Sequence, residues 1–182
     1  MISAMAKTEE QKYRVIYSEE GFEIRFYPSA ILATIYSDAK SYKQLAYPGF
    51  RKLAGYIFGD NESETKISMT SPVHMDFNNS GSSMSFVMPS SYNMENLPKP
   101  DDSSVILEKT EDLYVAVMQF KGYASDDKIT EYSEKLKNLL NDKGIKYYGN
   151  FSYLGYDPPF KPFGRRNEII VTIEWSEENY KN

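Results

Sequence analysis

The chain has 182 residues, 41% of them hydrophobic and 26% charged, which is enough for one globular domain with a sizeable core. Its net charge of −5 argues against nucleic acid as a partner, because phosphate contacts need a basic surface. It contains no cysteine, which excludes disulfides, thiolate metal sites and cysteine catalysis.

The sequence shows no pattern typical of a membrane-spanning helix or a secretory signal. It has no run of about eighteen apolar residues, so we expect no membrane insertion. The N-terminal segment MISAMAKTEEQK has no apolar stretch of the kind found in secretory signals. We therefore expect a cytoplasmic protein with a flexible N-terminus at 1–11, a single domain at 12–176 and a tail at 177–182.

The domain opens with three strand patterns. Apolar and polar residues alternate over 12–18 and again over 22–27, which predicts two strands of a hairpin. A more continuous apolar run follows at 30–36 and is typical of a strand covered on both faces.

An amphipathic helix is predicted next. Ser41 followed three residues later by Gln44 resembles a capping box. Pro48 lacks a backbone donor and disfavours helical geometry at the residue before it. We therefore predict a short first turn and a helix that restarts at Pro48, runs to Phe58 and ends at Gly59.

Strands and one further helix complete the chain. Strand patterns follow at 66–68, 73–77 and 84–88, then at 105–108 and 113–120 after a long connection. Ser125 is a suitable N-cap for a second helix that Gly144 ends, and strands are predicted at 147–156 and 168–175. The sequence therefore predicts an α+β fold. In it, pseudo-duplicated ββαββ units, at about 12–90 and 103–176, form a curved antiparallel sheet or distorted barrel flanked by two helices.

His74 is the only histidine in the chain. A neutral imidazole can bind a metal ion or heme iron, but no second histidine is available to complete a metal site. The alternative is a histidine on a strand surface with no ligand. We expect no structural metal.

The polar cluster of Arg165, Arg166 and Glu168 allows two interpretations. The arginines could bind a carboxylate ligand in a bidentate manner, or they could fix the preceding loop through Glu168 and backbone carbonyls. We favour the structural role, and we interpret Asp157, which precedes Pro158, as a turn residue. The strand methionines are expected to be ordinary core residues.

Three motifs together resemble the SOUL/heme-binding protein family. They are GFRKLAGYIFGDN at 49–61, KISMTSPV at 66–73 and GYDPPFKPFGRRNEI at 155–169, in the family's order and spacing. The resemblance covers residues 12–175 and implies two pseudo-symmetric units that form a distorted barrel flanked by two helices. It also implies non-covalent binding of heme or another tetrapyrrole, without a clear catalytic reaction.

The resemblance also implies a tetrapyrrole pocket along the first helix. Carried over to this sequence, its residues are Tyr47, Phe50, Arg51, Leu53, Ala54 and Ile57, with Tyr156 as a contributor. Arg51 or Lys52 would be the nearest cation for the ligand's carboxylates, and His74 is a candidate axial ligand.

Heme is the candidate cofactor, and binding would serve storage, transport or sensing. Two alternatives remain open. One is an enzyme acting on a hydrophobic small molecule in the same crevice, with pocket tyrosines, or Glu168 and Arg166, as acid or base. The other is a protein-interaction module that uses an exposed helix face. We expect a binding protein rather than an enzyme.

Overall fold

The computed structural model describes residues 7–180, which form eleven strands, two α-helices and a final 3-10 turn at Glu177–Tyr180. Residues 1–6 and 181–182, which belong to the predicted flexible N-terminus and tail, lie outside the described residues. The elements are, in chain order, β1 (Glu9–Glu10), β2 (Arg14–Glu19), β3 (Phe22–Tyr27), β4 (Ile31–Ser37), α1 (Tyr42–Ile57), β5 (Thr70–Ser71), β6 (Val73–Asn78), β7 (Gly81–Val87), β8 (Ile106–Lys109), β9 (Leu113–Lys121), α2 (Asp126–Asp142), β10 (Tyr147–Gly155) and β11 (Arg166–Ile173).

Nine of these strands form one antiparallel sheet in the order β2-β3-β9-β11-β10-β6-β7-β4-β8. The predicted α+β class, with a large antiparallel sheet and two flanking helices, is therefore confirmed. The sheet is open, with β2 and β8 at its edges, so its strands do not close into a barrel.

The strand order is symmetric about the β10–β6 pair. On one side β10, β11 and β9 are neighbours, and α2 connects β9 to β10. On the other side β6, β7 and β4 are neighbours, and α1 lies between β4 and β6 in the chain. The predicted pseudo-duplication would produce this order, and a common origin of the two halves stays a prediction.

One face of the sheet carries the hydrophobic core and both helices. Helix α1 contacts β4 and β7, whereas α2 contacts β9, β10 and β11. A single row of paired residues crosses seven strands on this face, and all but Met118 are buried: Ile35, Met84, Met75, Tyr153, Ile169, Met118 and Phe22. The expectation that strand methionines serve the core is confirmed at Met75 and Met84.

The opposite face, which we call the helix-free face, carries polar side chains beside a small apolar cluster of Tyr27, Val115 and Val117. The neighbouring row of paired residues on it runs across six strands through Thr34, Ser85, His74, Leu154, Glu168 and Gln119. Side chains alternate between the two faces of a strand, so everything in this row points away from the helices.

The predicted interruption of the first helix is wrong. Helix α1 begins after Ser41, whose side-chain oxygen accepts a hydrogen bond from the Gln44 amide, and continues through Pro48. Leu45 before the proline and Leu53 after it are both fully buried. This packing on both sides of Pro48 outweighs the loss of one backbone hydrogen bond, so tertiary burial overrides the local preference.

The predicted strand at 66–68 is also wrong. Ile67 is buried, and its amide donates to the carbonyl of Ile57, so this segment packs against the end of α1 as a loop. Pairing begins only at Thr70, where β5 lies parallel to β1, and the cis Ser71–Pro72 bond separates β5 from β6.

Candidate functional site

Helix α1 has two chemically different sides, and the residues of the predicted pocket are divided between them. Leu53, Ala54 and Ile57 are buried, with at most 8% of each exposed. Tyr47 is 74% exposed, and Arg51, one turn later, is also exposed. Residues three or four positions apart share a side of a helix. Tyr47 and Arg51 therefore face outward together, while the other three belong to the core side.

Phe50 lies at the boundary between the two sides. It is 41% exposed, and its ring centroid is 5.2 Å from that of the buried Phe86 on β7. One part of the ring thus packs on the core, and the other adds apolar surface to the outward side of the helix.

A cleft of about 480 Å³ follows the outward side of α1, and we call it the α1 cleft. This volume falls within the range of small-molecule pockets, about 300–1,000 Å³. The structure thus brings together Tyr47, Arg51 and Lys52, which were named from the sequence. The complete lining is Tyr47, Pro48, Arg51, Lys52, Gly55, Tyr56, Asp60 and Asp102.

The α1 cleft is lined by two cations, Arg51 and Lys52, and by two carboxylates, Asp60 and Asp102. Within residues 7–180, the side chain of Arg51 makes no hydrogen bond or ion pair. Lys52 Nζ donates a long hydrogen bond of 3.4 Å to Ser104 Oγ. Hydrogen bonds from Ser104 hold the pKa of Asp102 below its usual range, so this carboxylate is already engaged. An anionic ligand would therefore meet Arg51 as the unpaired partner.

The floor of the cleft is closely packed. The Tyr56 hydroxyl donates to the carbonyl of Pro98 at 2.8 Å, and burial raises its pKa to about 12. A Cβ atom at Gly55 would lie 2.7 Å from Asp60 Oδ2, so glycine allows the helix to approach the following loop here. Tyr56 is thus a fixed, neutral part of the wall.

His74 lies on the helix-free face, with the sheet between it and α1. Its Nε2 atom is 2.7 Å from Gln11 Oε1, and because an amide oxygen only accepts, the ring donates from Nε2. Burial lowers the pKa of His74 to about 4, although the nearby Glu168 opposes this shift. The imidazole is therefore neutral at pH 7, and the structure does not bring it together with Tyr47 and Arg51.

Tyr156, the remaining predicted pocket residue, also points to the helix-free face. Its hydroxyl donates to Glu168 Oε1, and the guanidinium of Arg166 lies 3.8 Å from its ring centroid. It belongs to a polar cluster, defined by Arg25, Gln119, Tyr156, Arg166 and Glu168, of which Arg25 and Glu168 are fully buried. The structure thus separates Tyr156 from the α1 cleft.

Glu168 is the centre of this polar cluster. Besides Tyr156, it accepts hydrogen bonds from Arg25, from Gln119 Nε2 at 3.1 Å and from Arg166 Nη2 at 3.2 Å. Burial acts to raise the pKa of Glu168, but Arg25 and the other donors outweigh burial and hold it below its usual value. A carboxylate held in this way is not available as the acid or base of the α1 cleft.

Residues 10–13, which precede β2, cover this cluster. Arg166 Nη1 donates to Glu10 at 2.8 Å, and Arg166 Nη2 donates to the hydroxyl of Tyr13 at 2.9 Å. The ring of Tyr13 lies 4.0 Å from the guanidinium carbon of Arg25. The segment thereby closes the polar interior of the helix-free face.

Sequence reasoning missed Arg25, which is completely buried. The alternation in β3 placed Arg25 opposite Phe22, Ile24 and Phe26, a pattern that usually indicates a solvent-facing side chain. Glu23 follows the same alternation in β3, so no signal in the sequence set Arg25 apart.

A second cavity, of about 510 Å³, lies between the N-terminal segment and the connection after β7. None of the predicted pocket residues lines it. Its charged lining consists of the carboxylates of Glu9, Glu10 and Glu95 and the amines of Lys12 and Lys109. This excess of carboxylates suits an anionic ligand less well than the α1 cleft does.

The loop before β11 is held by the arginine contacts that the sequence suggested. Arg165 Nη1 donates to the carbonyls of Pro158 and Lys161, and Arg166 pairs with Glu168. Asp157 accepts from the Arg166 amide and pairs with Lys161, as a turn residue would. The predicted structural role of both arginines is confirmed.

Two further features are absent from residues 7–180. No group of three or more histidine, cysteine or acidic side chains there could hold a metal ion. None of the helices in this part of the chain is long and apolar enough to cross a membrane.

Comparison with known proteins gave consistent matches. The family model described as "SOUL heme-binding protein" matches residues 8–172. Mouse and human heme-binding protein 2 are each 31% identical over 169 residues, which cover 88% of this chain and 82% of theirs. Mouse heme-binding protein 1 is 31% identical over 156 residues, covering 81% of this chain and 82% of its own.

Solved structures share the fold at much lower identity. The C-terminal domain of EcmrR superposes with a TM-score of 0.59 at 14% identity, covering 90% of this chain and 99% of that domain. A hydrolase from Listeria innocua superposes with a TM-score of 0.56 at 11% identity, covering 87% and 94%. At such identities, the likeness concerns the fold alone.

Proposed function

Because the chain belongs to the SOUL heme-binding protein family, we propose that it binds heme or a related tetrapyrrole non-covalently in the α1 cleft. The observation that carries this proposal is the unpaired guanidinium of Arg51 beside the exposed ring of Tyr47, in a cleft of about 480 Å³.

The chemistry of the cleft fits such a ligand. A tetrapyrrole is a flat apolar plate with carboxylates at one edge. The ring of Tyr47 and the side chain of Pro48 offer apolar contact, and Arg51 and Lys52 offer positive charge for the carboxylates. Phe50 is not among the lining residues and packs on Phe86 instead. Leu53, Ala54 and Ile57 support this surface from the core side of the helix and do not contact the ligand.

Non-covalent binding is compatible with three cellular roles. Non-covalent association is reversible, which suits storage, transport or sensing of the ligand. Which of the three applies, and whether the protein acts in the cytoplasm, stay predictions.

Titration with heme, followed by the Soret band, tests the proposal. The wild-type protein should give a saturable shift at micromolar concentration. Arg51→Glu should weaken binding about tenfold or more, since it replaces a charge-assisted contact by repulsion. Lys146→Glu makes the same charge change on the loop between α2 and β10, away from α1, and should retain wild-type affinity.

Two results would count against the proposal. The absence of a saturable shift in the wild-type protein would rule out heme as a ligand. Equal losses of heme affinity in Arg51→Glu and Lys146→Glu would show that the net charge of the protein, rather than the α1 cleft, governs binding.

A further inference from the structure

The side chains that can ligate heme iron are few in this chain. Proteins hold heme iron through histidine, cysteine, methionine or tyrosine. The chain has one histidine and no cysteine, and His74 lies on the helix-free face, with the sheet between it and the α1 cleft. No methionine is among the residues that line the α1 cleft. Tyrosine is therefore the donor type that remains there.

Two tyrosines line the cleft, and they differ in availability. The hydroxyl of Tyr56 is committed to the carbonyl of Pro98 and lies in the buried wall. Tyr47 is 74% exposed and makes no hydrogen bond within residues 7–180. Its phenolic oxygen is the available donor in the cleft.

The position of Arg51 favours the phenolic oxygen of Tyr47 as an iron ligand. Side chains four residues apart on a helix are neighbours, and each leans toward the helix N-terminus, so Arg51 leans toward Tyr47. The guanidinium has no carboxylate partner in the described part of the chain. Its positive charge would offset the negative charge of a phenolate bound to iron.

We propose that Tyr47 is the axial ligand of ferric heme in the α1 cleft and that Arg51 supports it. This inference rests on the proposed function. On ligation, the phenol releases its proton to solvent, its oxygen binds Fe(III), and a water molecule leaves the iron, which stays ferric. The chain thus discriminates ferric heme from metal-free porphyrins by one tyrosine.

The test compares heme with metal-free protoporphyrin IX, which has the same ring and carboxylates but no iron. Each is titrated into the wild-type protein and into Tyr47→Phe, with heme followed by absorption and the metal-free ring by fluorescence. The ratio of the two affinities should fall about tenfold in Tyr47→Phe, because only the iron contact distinguishes the ligands. Tyr148→Phe removes a hydroxyl from an exposed tyrosine on β10 and should leave the ratio unchanged.

Spectroscopy of the ferric complex gives a second readout. Resonance Raman bands of an iron–phenolate bond, and the matching charge-transfer absorption, should be present in the wild-type complex and absent in Tyr47→Phe. Both should persist in His74→Ala.

The outcomes separate the two proposals. If neither heme nor protoporphyrin IX binds, the proposed function fails, and the ligand assignment fails with it. If both bind but Tyr47→Phe changes neither the ratio nor the spectrum, the assignment to Tyr47 alone is overturned. A spectrum that changes in His74→Ala and not in Tyr47→Phe would assign the iron to the helix-free face instead.

Discussion

Arg25 and Glu168 form a bidentate ion pair inside the helix-free face, with Nη1–Oε1 and Nη2–Oε2 distances of 2.8 Å and 2.7 Å. Both side chains are completely inaccessible to solvent. The pair joins β3 to β11 across the intervening β9, so two residues 143 positions apart in the chain are linked in the sheet.

Breaking this pair should strongly destabilise the fold. Glu168→Gln leaves the buried charge of Arg25 without its counter-charge, and we expect a loss of about 3–5 kcal/mol in the free energy of unfolding, measured by urea denaturation. Glu131→Gln removes the exposed partner of Lys135 on α2 and should change the midpoint very little. A loss below about 1 kcal/mol in Glu168→Gln would show that the pair is not structural.

The pH dependence of stability should contain a contribution from His74. The folded pKa is about 4, while an unfolded histidine titrates near about 6.5, so the unfolded chain binds the proton first as the pH falls. Stability is therefore lost between about pH 6.5 and about pH 4, by about 3 kcal/mol at most, and His74→Gln should remove this contribution.

Nuclear magnetic resonance can follow this titration directly, because the chain has one histidine and its ring signals need no assignment. We expect the ring to stay neutral until the pH approaches about 4. A midpoint near about 6.5 in the folded protein would contradict the burial of the imidazole.

Asp76 should be a site where substitution stabilises the protein. It lies on the helix-free face, where burial raises its pKa, although hydroxyls of Ser152 and Ser83 donate to it. A raised carboxyl pKa means that the folded state binds the proton more tightly, so stability is lost as the pH rises through the unfolded and then the folded pKa. Asp76→Asn should therefore raise the urea midpoint at pH 7.

The same substitution should have little effect at about pH 3, where the carboxyl is largely protonated in both states. Asp38→Asn changes an exposed carboxylate after β4 and serves as the control, with no expected gain at pH 7. A lower midpoint for Asp76→Asn at pH 7 would indicate that the charged form is the one the fold requires.

The two sides of α1 should respond differently to truncation. Leu53→Ala removes a completely buried side chain and should cost about 2–5 kcal/mol in the free energy of unfolding. Tyr47→Ala removes a largely exposed ring and should change stability by about 0.5 kcal/mol or less while weakening heme binding. Comparable stability losses in both variants would show that Tyr47 packs into the core.

Much of the local structure was predictable because it depends on short-range periodicity. The alternation at 22–27 and the N-caps at Ser41 and Ser125 are patterns that span only a few residues each. They predicted a strand and two helix starts, and the structure has β3, α1 and α2 at these positions. The family also follows from the sequence, since its three motifs are continuous stretches of chain. The errors at Pro48 and at 66–68 arose where distant packing overrides local preference.

The chemistry of the two faces was decided only by the tertiary structure. The sequence marked Tyr47, His74 and Tyr156 alike as candidates, but strand pairing places His74 and Tyr156 on the helix-free face and leaves Tyr47 with Arg51 on the outer side of α1. Arg25 reads as a surface residue until β3 pairs with β9, which brings it near Glu168 on β11. Periodicity determines which residues share a face of a strand or helix, whereas long-range strand pairing determines which other residues that face contacts. The burial and charge pairing of a side chain depend on those long-range contacts.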